Sequence, residues 1–150
     1  MAIKRPAPNK NGSMPLMEVI HKRASIKTFN DNEIPLQVLS DLLYAAGGVH
    51  REDGHLTVPT ANNSCNMVLY AVTPQAAYRY NPTEHMLEEM VKGDFRATTG
   101  CQDYVETAYL QIVILMDEEA GNERFFANSL DRRVDMSFEH AGHISQNLYL

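Results

Sequence analysis

Residues 34–48, IPLQVLSDLLYAAGG, carry the clearest periodic pattern in the sequence. Their apolar residues recur at the spacing of one helical face, and proline and glycine stand where a first helical turn and a C-terminal cap favour them. The pattern predicts a helix that begins at Pro35 and ends at Gly47 and Gly48. The side chains predicted to be buried on its inner face are Val38, Leu39, Leu42, Leu43 and Ala46.

Strand patterns follow this helix along the chain. After a loop at residues 49–66, the segment MVLYAVT at 67–73 has the composition of a strand, and residues 77–90 alternate around the turn NPTE as in a hairpin. Residues 93–99 predict a short helix. Residues 109–117, YLQIVILMD, are almost continuously apolar, which is typical of a strand buried on both faces.

Helices are also predicted near both ends of the chain. The first runs from Pro15 to about Ala24, and the last begins near Val134. Their apolar residues at helical spacing are Leu16, Val19 and Ile20 in the first helix and Phe138, Ala141, Ile144 and Leu148 in the last. Residues 1–14 lack periodicity and are rich in Pro, Lys, Asn and Gly, so they predict an extended arm of the kind that often crosses a partner.

The length and composition are those of a single globular domain. The chain has 150 residues, of which 44% are apolar, enough for a buried core. Its formal net charge is -6, and because an acidic protein repels phosphate, nucleic-acid binding through overall charge is disfavoured. Any anion site must therefore be a local cluster of cations. The apolar runs are too short to cross a bilayer.

The compartment is predicted from the N-terminus and the cysteines. The start, MAIKRPAPNKNGSM, lacks the apolar region of a secretory signal, which predicts a cytoplasmic protein. Cys65 and Cys101 show no metal-binding or redox spacing. Free thiols in a reducing compartment are the favoured interpretation, and a single disulfide is the alternative.

The stretch HKRASIKTF at 21–29 is a candidate anion site. Arg23, Ser25 and Lys27 stand at every second position, and such residues share one side of an extended segment. A guanidinium fork, a hydroxyl and an ammonium together suit a phosphate monoester. The site follows a helix C-terminus, whose dipole repels anions, so the side chains must supply the attraction. A solvated basic turn is the alternative interpretation.

Two further groups of residues are candidates for chemistry. The loop VPTANNSCN at 58–66 precedes a core strand, and the Asn63 carboxamide could bind the edge of a heterocycle. Taken alone, its composition favours a plain polar turn. His140 and His143, with Glu139 beside them, share one helical face that a metal could bridge. No third ligand set is recognisable, so a packing or surface role is the favoured interpretation.

Nucleotide and nucleophile motifs are missing from the sequence. It contains no G-x-G-x-x-G after a strand, no Walker-type loop and no Gly-x-Ser-x-Gly elbow. A bound cofactor would therefore carry any chemistry.

Six segments, taken in chain order, carry a family resemblance. MPLMEVIHKRASIKTF, IPLQVLSDLLYAAGGVHREDG and TVPTANNSCNMVLYAV are followed by YRYNPTEHML, GDFRATTGCQDYVETA and EHAGHISQNLYL. Together they resemble the FMN-dependent nitroreductase family, in particular the branch related to dehydrogenases that oxidise thiazolines and oxazolines in peptides. The first segment is similar to the family's Arg-x-Ser-x-Lys/Arg-x-Phe phosphate motif, and the third to its Pro-Ser/Thr-x-x-Asn loop.

The resemblance implies a fold, an assembly and a reaction. The fold would be α+β, with an antiparallel-dominated sheet flanked by helices, and residues 15–150 would form the FMN-binding domain. Two chains would form an intertwined homodimer with two flavin sites at the interface. FMN would be the cofactor and NAD(P)H the co-substrate, with hydride passing to flavin N5 and then to a small electron acceptor by a ping-pong mechanism.

The resemblance also implies site residues. Those placed at FMN are Arg23, Ser25, Lys27, Pro59, Thr60, Asn63 and Gln102. The first three would hold the phosphate and ribityl chain, the next three would come from the other subunit, and Gln102 would face the pyrimidine edge. Lys27 would reach the N1 and C2 carbonyl side, where a cation stabilises reduced flavin. No catalytic side chain is expected, because the flavin carries the chemistry.

The sequence departs from the family pattern at three places. Ala24 stands where His or Arg is common, and residues 64–66, SCN, replace bulkier side chains. The family continues beyond QNLYL with the rest of a helix, a loop over the flavin and a last strand that brings basic residues to the phosphate. A chain ending at Leu150 would lack this C-terminal part and would bind FMN weakly. A non-catalytic dimerising or ligand-binding module derived from the same fold is therefore the alternative function.

Overall fold

The computed structural model describes residues 2–12, 14–30 and 32–150. These residues form strands β1 (Ala2–Lys4), β2 (Met67–Val72), β3 (Ala76–Asn81), β4 (Met86–Lys92) and β5 (Gln111–Met116). The α-helices are α1 (Leu16–Lys22), α2 (Leu36–Gly47), α3 (Glu123–Phe126) and α4 (Leu130–Tyr149). Short 3₁₀ turns lie at Ala61–Asn63, Arg96–Thr98 and Val105–Thr107. The predicted arm includes Met1 and Ser13, and the irregular segment before α2 includes Asp31; these three lie outside the described residues.

The strands form one antiparallel sheet in the order β1-β4-β3-β2-β5. The predicted hairpin is β3 and β4, whose register places Tyr80 opposite Leu87. Its turn is closed by His85 in a left-handed conformation with φ of 47°. The expectation of an α+β fold with an antiparallel sheet flanked by helices is confirmed.

The core lies between one face of the sheet and the two long helices. The period-2 pattern of the strands points alternate side chains to this face, and the inner stripes of α2 and α4 cover it. Leu43 and Ala46 of α2 are fully buried there. The other buried residues of this cluster are Leu39, Val58, Leu69, Ala71, Ala76, Tyr78, Tyr80, Leu87 and Ile144.

The described part of the N-terminal arm lies along this chain's own sheet and α2. β1 pairs with β4, and the Ser40 hydroxyl donates to the Pro6 carbonyl at 2.7 Å. His85 Nε2 then donates to Ser40 Oγ at 2.7 Å, so its Nδ1 accepts from the Tyr80 hydroxyl at 2.8 Å. Burial lowers the pKa of His85, which keeps the ring in the neutral form that this chain of bonds requires.

Several sequence expectations about burial were wrong. β5 is an edge strand and is only half-buried, with Leu115 exposed, because only β2 pairs with it in the described chain. Val38 and Phe138 are also exposed, at 47% and 75%.

Two helix predictions also differ from the structure. α4 begins four residues earlier than Val134, because its first turn is mostly polar and carries no apolar periodicity. The short helix predicted at 93–99 is a single 3₁₀ turn.

No helix among the described residues is both long enough and apolar enough to cross a membrane.

Candidate functional site

The segment after α1 carries the predicted phosphate ligands. α1 ends at Lys22, and Arg23 leaves the helix with an extended ψ of 122°. Arg23, Ser25 and Lys27 are all exposed. Neither cation pairs with a carboxylate in the described part of the chain, whereas the neighbouring Lys22 is bound to Glu18 at 2.6 Å. Arg23 and Lys27 therefore remain available for an external anion.

Aromatic rings hold both cations. The guanidinium of Arg23 lies 5.7 Å from the ring centroid of Tyr149, at the end of α4. Lys27 Nζ lies 5.6 Å from the ring of Tyr104. These rings, which the sequence patterns did not single out, attract each cation without neutralising it.

Gln102 lies near the second of these contacts, two residues before Tyr104 in the loop that precedes β5. Its side chain is exposed, and its backbone carbonyl accepts from the Val105 amide at 3.0 Å. Arg96 holds this loop by donating to both Asp94 carboxylate oxygens and to the Ala108 carbonyl. Its bonds to Asp94 lower the pKa of that carboxyl.

The 58–66 loop carries the second group of predicted residues. Val58 is buried and anchors the start of the loop, while Pro59 and Asn63 are exposed. The Thr60 hydroxyl accepts from the Cys65 amide at 3.2 Å, which draws the two ends of the turn together. The backbone is left-handed at Asn62, Asn63 and Cys65, with φ of 57°, 53° and 48°. Such conformations are unfavourable without glycine, so surrounding bonds must hold them.

Side chains from outside the loop supply these bonds. The Asn122 amide donates to the carbonyls of Asn62 and Asn63 at 2.6 and 3.2 Å. His140, only 1% exposed, accepts at Nε2 from the Ala61 amide at 2.6 Å. Its Nδ1 bonds with Asn66 Oδ1 at 2.9 Å. Sequence patterns gave no sign of the role of Asn122, and for His140 they indicated a packing or surface role without naming its partners.

The structure therefore gives His140 a packing role, the favoured interpretation of the sequence. Both of its ring nitrogens are already hydrogen-bonded within the protein. Among the described residues, no group of three or more His, Cys, Asp or Glu side chains is placed to hold a metal. His143 is exposed, and its Nδ1 lies 3.4 Å from the Pro59 carbonyl.

The predicted site residues form two separate groups within one chain. Arg23 and Lys27 contact the end of α4 and the loop before β5, whereas the 58–66 loop packs on the middle of α4. No hydrogen bond, ion pair or ring contact of the described residues joins residues 23–27 to the 58–66 loop.

Comparisons with known proteins agree on one family. The profile of the nitroreductase family matches residues 20–150. A candidate nitroreductase of Methanocaldococcus jannaschii is 28% identical over 145 residues, which cover 90% of this chain and 71% of that protein. The crystal structure of a candidate nitroreductase from Ralstonia eutropha JMP134 has a TM-score of 0.89 and 34% identity, covering 99% of this chain and 69% of that one.

A more distant structure shares the fold alone. The candidate nitroreductase from Anabaena variabilis ATCC 29413 has a TM-score of 0.53 and 19% identity. The match covers 97% of this chain but 32% of that one.

Proposed function

The chain belongs to the nitroreductase family of oxidoreductases, which generally use flavin cofactors, and we propose that it is an FMN-dependent NAD(P)H oxidoreductase. The observation that carries this proposal is a pair of cations, Arg23 and Lys27, on either side of Ser25, which bind no carboxylate among the described residues. When bound, FMN would accept a hydride at N5 from NADH or NADPH and pass the electrons to a small acceptor in a ping-pong cycle.

The residues of the 23–27 segment fit the phosphate of FMN. Arg23 offers a planar fork for two phosphate oxygens and Ser25 a hydroxyl donor. Lys27 offers a point charge along the ribityl chain, and we assign it to the N1 and C2 carbonyl side of the flavin. No described carboxylate has to be displaced from either cation. The C-terminal dipole of α1 repels an anion, and two full positive charges outweigh the roughly half charge of a helix end.

We assign the 58–66 loop to the flavin ring. Pro59, Thr60 and Asn63 lie on a backbone held in shape by bonds from outside the loop, which suits a surface that receives a planar ligand. The exposed Asn63 carboxamide is able to donate and accept at a heterocycle edge. Gln102, on the Lys27 side of the segment, is the proposed contact for the pyrimidine edge.

The proposed assembly is a homodimer in which the loop of one subunit meets the 23–27 segment of the other. Two observations support it. The two groups of site residues do not contact each other within the chain, and no residue of α1 is buried. A seven-residue helix is marginal in water by itself, so α1 needs a covering surface.

The free, exposed thiols of Cys65 and Cys101 suit a reducing compartment, and we propose a cytoplasmic location. The acceptor is proposed to be a small molecule that reaches an open flavin face.

Reconstitution with FMN tests the proposal. The purified protein is titrated with FMN and, in parallel, with riboflavin, which lacks the phosphate; flavin fluorescence reports binding. We expect tighter binding of FMN than of riboflavin, and loss of visible flavin absorbance when NADH or NADPH is added without oxygen. Protein that binds neither flavin would contradict the proposal and favour the non-catalytic module.

A further inference from the structure

His140 is a buried titratable group that the proposed reaction does not use. It lies on the inner face of α4 with 1% of its surface exposed. A buried polar ring is costly unless its nitrogens are hydrogen-bonded, and here both are. Both bonds end on the 58–66 loop, at the Ala61 amide and the Asn66 side chain. The ring therefore connects α4 to the loop assigned to the flavin.

The hydrogen-bond network determines which nitrogen of His140 carries the proton. The Asn66 amide nitrogen donates to Ser137 Oγ at 2.8 Å, and that hydroxyl donates to the Arg133 carbonyl at 2.8 Å. Asn66 Oδ1 is therefore an acceptor, which also receives a bond from Ser64 Oγ at 2.9 Å. His140 must donate from Nδ1, and its Nε2 accepts from Ala61. Only the neutral imidazole satisfies every partner.

Protonation of His140 would remove the bond that bends the loop. An imidazolium carries N–H at both nitrogens, so its Nε2–H would point at the Ala61 amide N–H. The two nitrogen atoms are 2.6 Å apart. Two donors repel at that distance, and the buried positive charge would have no carboxylate bonded to it. The left-handed residues Asn62, Asn63 and Cys65 would then lose one of the bonds that hold them.

We propose that His140 is a positioning residue that holds the 58–66 loop in its flavin-binding shape only while its imidazole is neutral, so that flavin affinity falls as the ring gains a proton. This inference rests on the proposed function only for the identity of the ligand. The loop shape itself depends on contacts within the chain.

The surroundings of the ring favour the neutral form. Burial lowers the pKa of His140, and the neighbouring His143 lowers it further, against a smaller opposite effect of Glu139. In the loop, Cys65 is the only titratable residue between positions 59 and 66. Beyond β5, Asp117 contacts Asn66 through its backbone amide at 2.8 Å.

The direction of the pH effect follows from this lowered pKa. A released loop leaves His140 with an ordinary pKa of about 6.5, so the released state takes up a proton at a higher pH than the held state. Loop order is therefore complete above about pH 6.5 and declines as the pH falls below it. Because one proton is involved, the dissociation constant for FMN should rise by up to about tenfold per pH unit in that range.

The experiment compares the wild type with His140→Gln and His143→Gln. Hydrogen exchange of the Ala61 amide is measured by NMR without flavin, from about pH 8 to about pH 5, together with the histidine ¹⁵N shifts that report the tautomer. FMN affinity is measured over the same range. In the wild type we expect an Nδ1-protonated His140, and loss of Ala61 protection and FMN affinity as it titrates.

The variants separate positioning from general stability. Glutamine at position 140 does not titrate, so the loss of Ala61 protection should disappear, and FMN affinity should keep only the step of the FMN phosphate, whose second pKa is about 6. His143→Gln should keep both steps. An equal loss of Ala61 protection with falling pH in the wild type and in His140→Gln would overturn the inference, as would an Nε2-protonated ring. A wild type that binds no flavin but loses Ala61 protection as His140 titrates would contradict the proposed function and leave the positioning role supported.

Discussion

At the scale of single residues, Arg23 and Lys27 illustrate how a cation stays available for a ligand. Each lies near an aromatic ring, at 5.7 Å from Tyr149 and 5.6 Å from Tyr104. A cation–ring contact at an exposed position contributes about 0.5–1 kcal/mol, whereas a hydrogen bond to a charged group contributes about 1.5–3 kcal/mol. A phosphate at these cations would therefore outcompete the rings.

Arg23→Ala should weaken FMN binding roughly ten- to a hundredfold, because it removes a charge-assisted fork. Riboflavin binding should change little, since riboflavin has no phosphate. Fluorescence titrations with both flavins measure the difference. Lys22→Ala is the matched control, because Lys22 is bound to Glu18 and should leave FMN affinity unchanged. An equal loss for both flavins in Arg23→Ala would place Arg23 away from the phosphate.

Lys27→Gln should lower the reduction potential of the bound flavin as well as its affinity. A cation near the pyrimidine side stabilises the negative charge of reduced flavin, so its removal makes electron uptake less favourable. We expect about a tenfold loss in affinity from the missing charge. Equilibrium titration against a redox dye measures the potential. An unchanged potential in a flavin-loaded variant would contradict this placement of Lys27.

At the scale of elements, helix ends decide where the loops begin. α2 ends against Gly48, whose amide donates to the Tyr44 carbonyl at 2.8 Å. The segment just before the 58–66 loop is bonded to this end of α2, since the Thr57 hydroxyl donates to the carbonyls of Tyr44 and Ala45. The start of the 58–66 loop is thus fixed by the C-terminal turn of α2.

Gly48→Ala should destabilise the fold by about 1–3 kcal/mol, as overpacking typically does. A β-carbon at this position would lie 2.4 Å from Tyr44 Cδ2 and 2.9 Å from Tyr44 Cα, and the backbone atom is not free to move aside. Urea unfolding monitored by circular dichroism measures the change. Gly142→Ala is the opposite case, because nothing lies within 4 Å of its added β-carbon and alanine favours the helix of α4. Equal effects of the two substitutions would contradict the steric argument.

At the scale of the whole molecule, exposed apolar surface is concentrated on the helices and segments around the proposed site. Leu16 and Met17 of α1 are 63% and 73% exposed, and Phe138 of α4 is 75% exposed. A groove of about 520 Å³ beside the 23–27 segment is also largely apolar. Its lining includes Ile26, Phe29, Ile34, Leu42, Leu110, Ile112 and Leu148. Exposed apolar side chains and an apolar groove are typical of an interaction surface, which supports the proposed homodimer.

Leu16→Glu combined with Ile20→Glu should shift the protein from dimer toward monomer. Two carboxylates in the proposed interface would be buried without partners, which is strongly unfavourable. Light scattering coupled to gel filtration measures the mass, and the wild type should run as twice 16.9 kDa. Met90→Glu, which changes an apolar residue exposed to a similar degree on β4, is the control and should remain dimeric. A monomeric wild type at micromolar concentration would contradict the assembly.

Local patterns in the sequence predicted most of the elements. The α2 pattern, the hairpin of β3 and β4, and the strand at β2 agree with the structure, because period and turn chemistry act over neighbouring residues. Burial was less well predicted. Phe138 follows the helical period of Ile144, yet one is 75% exposed and the other 2%, since the period defines a face and the tertiary fold determines what covers it.

The candidate site divides in the same way. The sequence predicted positions 23, 25 and 27 as anion donors and the Asn-rich loop as a heterocycle contact. It could do so because phosphate and heterocycle binding require particular side chains. The rings that hold Arg23 and Lys27 were not, since Tyr149 lies more than a hundred residues from Arg23 along the chain. Asn122 and His140 likewise reach the loop across 60 and 79 positions.

The sequence by itself determined α1, α2 and most of α4, the hairpin, the acidic charge and the donor types of the candidate anion site, because each depends on the chemistry of a few neighbouring residues. Only the tertiary structure decided that β5 lies at the edge of the sheet, that the two groups of site residues remain apart in one chain, and that His140 binds a loop instead of a metal. These outcomes depend on contacts between residues far apart in the chain, and the local periodicity of a sequence does not specify such contacts.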